Sequence, residues 1–259
     1  MKTVMKNNMN RPLTIVILAA GLGTRLGSIT KQKPKALIEV CGKPILYYAL
    51  HFARRFNPTK IIIVGGHLYD QLEQAAKSID LDVVVLKNEN YAQTQRMVSL
   101  QVAREHIDGD LIVWDGDYIY HEGIASTMLP HLKGVSIFAS DQQSSDPGVV
   151  LDMMVKVDEK DHLIAMSKSL TDFNYYFNSF FFCDAEHQDA YFKSAEKAMQ
   201  KIGADKTHLE DALLEYVASG GIVDVVNMVK PLWIEIDNPQ DLKVAEAMVS
   251  HNPDGYGVV

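Results

Sequence analysis

The chain has 259 residues (28.9 kDa), of which 47% are hydrophobic and 22% charged. That is enough apolar mass for a single large core, so one domain, or two at most, is expected. Its 25 Lys plus Arg face 33 Asp plus Glu, and the resulting net charge of −8 excludes a duplex nucleic-acid binder with an overall basic surface. The charge is uneven: Arg11, Arg25, Lys31, Lys33, Lys35 and Lys43 share one stretch with the single acid Glu39, so that stretch carries +5 and the remainder −13. Two cysteines, Cys41 and Cys183, imply no disulfide framework and fit a reducing, cytoplasmic setting. No apolar run approaches the ~18–20 residues that a membrane span needs.

The polar lead before Leu13–Ala20 superficially mimics a secretory signal. The apolar run is short and leads straight into a glycine-rich loop, so a buried parallel strand is expected instead. Strand and helix patterns then alternate. Thr14–Leu18 reads as a strand, followed by a helix after Pro44, a strand Ile61–Val64, a helix near Leu68–Ile79, a strand Val83–Leu86, a helix near Gln95–His106 and a strand Leu111–Trp114. This alternation predicts βαβ units and a mostly parallel sheet with helices on both faces, a Rossmann-like α/β fold. After Pro147 the pattern changes. Val149–Val157 and His162–Ser167 read as paired strands, Phe177–Cys183 as an aromatic strand, and helices follow from Ala185 and His208. Thr207 with Glu210 forms a predicted capping box, and Gly220–Gly221 a helix stop. Ile222–Val226 and Leu232–Ile236 read as late strands, and Asn238–Pro239 opens a last helix. The expected organisation is an extension over 1–11, one domain over 12–250 with halves 12–146 and 147–250, and a tail over 251–259.

The loop Leu18-Ala19-Ala20-Gly21-Leu22-Gly23-Thr24-Arg25-Leu26-Gly27 follows the first strand. Glycines there let backbone N–H groups approach a phosphate chain closely. A dinucleotide fingerprint would need its third glycine one position before Gly27, and a P-loop would need a lysine after it. A nucleotidyltransferase loop fits better, because Lys33-Pro34-Lys35 and Gly42-Lys43-Pro44-Ile45 follow. Further on, Asp115-Gly116-Asp117 ends a strand, so its two carboxylates share one face near the carboxyl edge of the sheet.

Together these motifs resemble the nucleoside-triphosphate transferase family that makes activated sugars and phospho-alcohols. The resemblance implies that Leu18 to Arg25, Lys35 and Ser99 bind a nucleotide, with Arg25 and Lys35 on the phosphates. It places Lys168 near the substrate phosphate and makes Asp117 and Asp237 ligands of Mg²⁺, with helix capping as the competing reading of Asp237. The segment Asn88-x-x-Tyr91 with a late Ser99-Leu100 is closest to the branch that uses CTP with phosphocholine, 2-aminoethylphosphonate or inositol 1-phosphate. Gln95 and Arg96 depart from that branch. Asp115, Tyr175, Tyr176, Asn178 and Glu210 are candidates for contacting the substrate or supporting the ligands. The expected partners are an NTP and a small phosphorylated alcohol, with no nucleic acid; homodimerisation stays open. The competing functions are sugar-1-phosphate nucleotidyl transfer with UTP, dTTP or GTP, and an inactive nucleotide-binding regulatory domain.

Overall fold

A computed structural model describes residues 11–141, 153–228 and 232–258. The part of the predicted Val149–Val157 strand that precedes Met153, the boundary near 147 and the first ten residues lie outside it.

Strands β1 (Leu13–Ala19), β4 (Lys60–Gly65), β5 (Val84–Lys87) and β6 (Asp110–Asp115) form the parallel heart of a nine-stranded sheet. Each is a run of apolar, largely β-branched residues, as strands covered on both faces require. The short strands β2 (Glu39–Val40) and β3 (Lys43–Pro44) lead into α1 (Ile45–Ala53). Helices α2 (Tyr69–Ile79) and α3 (Arg96–Ala103) complete the crossovers. β7 (Tyr118–Tyr120) then turns away from the main sheet, and α4 (Gly123–Met128) returns the chain to β8 (Val135–Ser140).

In the second half, β9 (Met153–Val157) and β10 (Leu163–Ser167) pair as a hairpin and add to β11 (Tyr175–Cys183). β11 binds β9 through its first residues and β6 through its last, with β8 along its other side. Two extra residues bulge out between Phe177 and Phe181, and Ser179 there takes φ +67°. The bulge is where the strand changes partner. Helices α5 (Gln188–Ile202) and α6 (Leu209–Ala218) follow, then β12 (Asp224–Asn227) parallel to β8, β13 (Trp233–Glu235) antiparallel to β7, and α7 (Pro239–His251).

The two faces of the sheet carry separate cores. Val16, Val113 and Phe181 pack under α3, α5 and α6, while Ile15, Trp114 and Phe180 pack under α1, α2 and α4. Trp114 stacks on Phe180 at 5.5 Å with Phe52 edge-on at 5.7 Å, and each such buried ring contributes about 1.5–3 kcal/mol.

Two local expectations change. The predicted Thr207–Glu210 capping box is absent: the His208 N–H donates to Asp211 Oδ2 at 2.7 Å, Thr207 Oγ1 donates to the Gly203 carbonyl, and Glu210 turns inward. Strands β7 and β8 and helix α4 were not anticipated. Ser136 and Ser140 interrupt the apolar signal of β8, yet both are buried.

Candidate functional site

A cleft of about 550 Å³ opens where β1 and β6 end, with walls from both halves of the chain. Ligands of open α/β sheets bind at such carboxyl edges. Gly116 makes this edge compact. Its N–H donates to the Leu18 carbonyl at 2.7 Å, and a Cβ there would stand 3.0 Å from Ala19 Cβ and 3.1 Å from Leu18 O. The carboxylates on either side of it, Asp115 and Asp117, are thereby held beside the glycine-rich loop.

At one end of the cleft, Lys35 lies between two acids. Its Nζ donates to Asp117 Oδ2 at 2.6 Å and Asp237 Oδ1 at 2.7 Å, and Arg25 contacts Asp237 Oδ2 at 2.6 Å. Gly23, at φ +63°, folds the loop against Lys35, leaving room for no side chain of its own: a Cβ would meet Thr30 Cγ2 at 2.9 Å. Burial opposes the charge on Lys35, but Asp117 and Asp237 outweigh it and hold the ammonium well above its ordinary pKa. Burial likewise opposes the charge on Asp237, while Lys35 and Arg25 hold its carboxyl below the usual range. Capping of α7 is performed by neighbours: the Asn238 side chain accepts from Gln240 N and Asp241 N, and Asp241 accepts from Asp237 N and Asn238 N. The carboxylate of Asp237 is therefore not engaged as a cap.

Glu235 joins this end through the β7–β13 pairing, and Tyr118 Oη donates to its Oε2 at 2.9 Å. Burial, with Asp117 and Asp237 nearby, pushes the Glu235 carboxyl up to about 8. Oxygens of Asp117, Glu235 and Asp237 all lie within 4.8 Å of one another. Asp117 Oδ1 is buried without a partner. An orphaned carboxylate oxygen in an all-oxygen donor set fits a hard divalent cation such as Mg²⁺.

At the other end, Arg96 at the start of α3 is partly buried, its side chain 28% exposed. It donates to Asp115 Oδ2 and to Glu210 Oε2, each at 2.5 Å, and also contacts Glu210 Oε1. Asp115 Oδ2 accepts a further bond from Ser179 Oγ at 2.5 Å, which the bulge in β11 makes available. Burial works against the Glu210 charge, yet Arg96 holds its carboxyl below the ordinary value. Lys168, at the end of β10, lines the same end, and among the described residues it has no acidic partner within ion-pair distance.

Of the residues expected from the sequence, Leu18, Ala20, Gly21, Arg25, Ser99, Asp115, Asp117, Lys168 and Glu210 line the cleft. Lys35 and Asp237 reach it through their contacts with Asp117 and Arg25. Ala19, Leu22, Gly23 and Thr24 are not among the lining residues. Tyr175, Tyr176 and Asn178 fall elsewhere. Tyr175 Oη donates to Asp161, Tyr176 packs edge-on to Phe173 at 5.0 Å, and Asn178 is buried against Met228 and Phe180 N. Of the aromatic residues Phe173, Tyr175, Tyr176 and Phe177, only Phe177 lines the cleft. Sequence reasoning did not single out Glu235, Ser179 or His208, and noted Arg96 only as a departure. Glu235 was recoverable, since it ends β13 only two residues before Asp237.

Comparisons with known proteins agree with this architecture. The CMP-5'-(3-aminopropyl)phosphonate synthase of Streptomyces rubellomurinus is 23% identical over 256 residues, covering 91% of this chain and 38% of that protein. The choline-phosphate cytidylyltransferase of Haemophilus influenzae is 33% identical over 128 residues, covering 49% of this chain and 54% of that protein. The chain thus spans well under two thirds of the length of either relative. Among solved structures, the inositol-1-phosphate CTP transferase of T. maritima superposes with a TM-score of 0.77 at 21% identity, over 91% of this chain and 94% of that one. The CTP:phosphocholine cytidylyltransferase of Streptococcus pneumoniae gives 0.75 at 22% identity, over 92% and 99%. Both show the fold. Among the described residues, no helix is long and apolar enough to cross a membrane. Residues 15–172 match the MobA-like NTP transferase domain, and the chain belongs to that family.

Proposed function

We propose that the chain is a nucleotidyltransferase that joins a small phosphorylated alcohol to the cytidylyl group of CTP and releases pyrophosphate. The observation that carries this reading is the arrangement of Arg25 and Lys35 against Asp117, Glu235 and Asp237 at the carboxyl edge of the sheet, beside the glycine-rich loop. The cytidylyltransferases among its relatives support the choice of CTP.

In this reading Leu18, Ala20, Gly21 and Ser99 contact the nucleotide. Arg25 and Lys35 turn from their carboxylates to the triphosphate, where their charges oppose the build-up of negative charge as pyrophosphate departs. Asp117 and Asp237, with Glu235 beside them, hold Mg²⁺. That ion would supply charge neutralisation for the phosphates. Lys168 steadies the acceptor phosphate. An oxygen of that phosphate attacks the α-phosphorus in line; the new P–O bond forms as the α–β bridging bond breaks, and its electron pair leaves with pyrophosphate. The acceptor phosphate is already anionic near neutral pH, so no general base is needed, and positioning carries most of the catalysis.

The test is pyrophosphate release with CTP, UTP, GTP and dTTP against a panel of phosphorylated alcohols and hexose 1-phosphates in Mg²⁺. CTP-dependent release with a phosphorylated alcohol is expected. Preference for another NTP with a hexose 1-phosphate would replace the reading by sugar nucleotidyl transfer. Nucleotide binding without turnover, unchanged in Asp117→Ala and Asp237→Ala, would replace it by a regulatory domain.

A further inference from the structure

A third part of the cleft wall lies beside the glycine-rich loop, where Ala20, Gly21, Tyr91, Thr94, Gln95 and Ser99 line it. Gly66 lets this wall close up: a Cβ there would stand 2.4 Å from Tyr91 Cβ and 2.8 Å from the Ala20 carbonyl oxygen, so a side chain would push the two apart. Behind Thr94 and Ser99 lies Asn88, which is buried and is not among the lining residues.

The hydrogen bonds of Asn88 run in one direction. Its Oδ1 accepts the Asn90 backbone N–H at 3.0 Å, and because that group can only donate, the atom facing it must be the amide oxygen. The amide nitrogen therefore points the other way and donates to Ser99 Oγ at 3.0 Å and to Thr94 Oγ1 at 3.2 Å. Thr94 gives its own proton to the Asn90 carbonyl at 2.8 Å. It is left with a lone pair for the cleft and no proton. Ser99 is the converse: Asn88 takes up a lone pair, and among the described residues its proton has no acceptor. Two hydroxyls held by one nitrogen thus stand side by side, one able only to accept and the other with a proton to give. Tyr91 and Gln95 add a phenol and an amide to the same wall, but each of these both donates and accepts and so suits either kind of partner.

We infer that Asn88 tunes this wall to the edge of cytosine: Thr94 Oγ1 accepts from the 4-amino group, and Ser99 Oγ donates to the ring nitrogen or carbonyl beside it. Uracil offers an acceptor, O4, where cytosine offers the amino group, and an N–H where cytosine offers a lone pair. Its O4 would face the Thr94 lone pair, and Thr94 could turn to donate only by abandoning the Asn90 carbonyl. Thr94 and Ser99 touch the base, whereas Asn88 acts through them as a positioning residue. The inference rests on the choice of CTP in the reading above, and because it is read by binding it can fail apart from the reaction.

The experiment measures Kd by calorimetry, in Mg²⁺ and without acceptor, for CTP, UTP and a CTP analogue that lacks the 4-amino group. The wild type should bind CTP at least about tenfold more tightly than either of the others, the discrimination expected when a buried hydrogen-bonding group loses its partner. Thr94→Val keeps the shape but removes the acceptor, and CTP and the analogue should then bind alike. Asn88→Asp puts an oxygen that only accepts where the nitrogen donated, so the Ser99 proton turns inward and the preference for CTP over UTP should fall by about tenfold or more. Should that variant not fold, Ser99→Ala removes the donor itself and should lower the same preference. Affinities for CTP and UTP that fall in parallel in every variant show a structural role and overturn the inference. So does a wild type that binds UTP as tightly as CTP. Selective CTP binding that depends on Asn88 and Thr94, with no pyrophosphate released from any phosphorylated alcohol, overturns the reading of the reaction and leaves the inference standing.

Discussion

The two ends of the cleft use the same device, a cation between two carboxylates, in opposite ways. Lys35 sits between Asp117 and Asp237, and Arg96 between Asp115 and Glu210. At the first end one carboxylate oxygen is orphaned, and Arg25, which shares Asp237, is largely exposed. At the second end the guanidinium is 28% exposed but spans both acids, and Asp115 takes a further bond from Ser179. A point-like ammonium can exchange partners, whereas a planar fork fixed on two acids cannot do so without stranding buried charge. On the proposed function, the first end exchanges its ion pairs for the triphosphate and a metal ion, while the fork of Arg96 keeps the second end in place.

That contrast can be broken by substitution. The largest effect is expected from Asp117→Ala, which removes the orphaned oxygen. Activity should fall by about 10³-fold, read as pyrophosphate release. Lys35→Met should lower activity by about 10²-fold. It should also raise the affinity of the nucleotide-free protein for Mg²⁺, measured by calorimetry, since the lysine no longer occupies the carboxylates. Unchanged metal affinity would show that Lys35 does not compete with a cation. At the fixed end, Arg96→Met should cost about 3–5 kcal/mol of stability in denaturant unfolding, more than Lys35→Met, because the acids it leaves unpaired, Asp115 and Glu210, are less exposed than Asp117 and Asp237. Equal losses would erase the distinction between the two ends.

A smaller effect concerns pH. Burial, followed by Arg96, lowers the pKa of His208 below its ordinary 6.5. The unfolded chain therefore takes up this proton first on acidification, so the stability is present above about 6.5 and declines as pH falls below it. Between pH 7 and 5 the wild type should lose more Tm than His208→Gln does.

Much of this was legible in the sequence, and the rest was hidden for identifiable reasons. The parallel strands announced themselves as buried apolar runs, and the glycine loop with Lys35 and Asp117 carried its own spacing. Asn178 does not line the cleft, and period-two alternation places it on the face opposite Phe177 and puts Ser179 beside Phe177. Arg96 was beyond such reasoning. Its partners lie 19 and 114 positions away, and nothing in local pattern says that α6 brings Glu210 to α3. β8 escaped because its two buried serines break the hydrophobic run.

The ion pairs of Lys35 reach 82 residues forward to Asp117 and 202 residues forward to Asp237. A chain emerging in order from the ribosome thus makes its glycine loop early but cannot complete the carboxylate group until β13 has paired with β7. Contacts of such separation carry a large loop-closure cost. On the proposed function, the loop that would cradle the triphosphate is synthesised first, Asp117 midway, and Glu235 and Asp237 almost last.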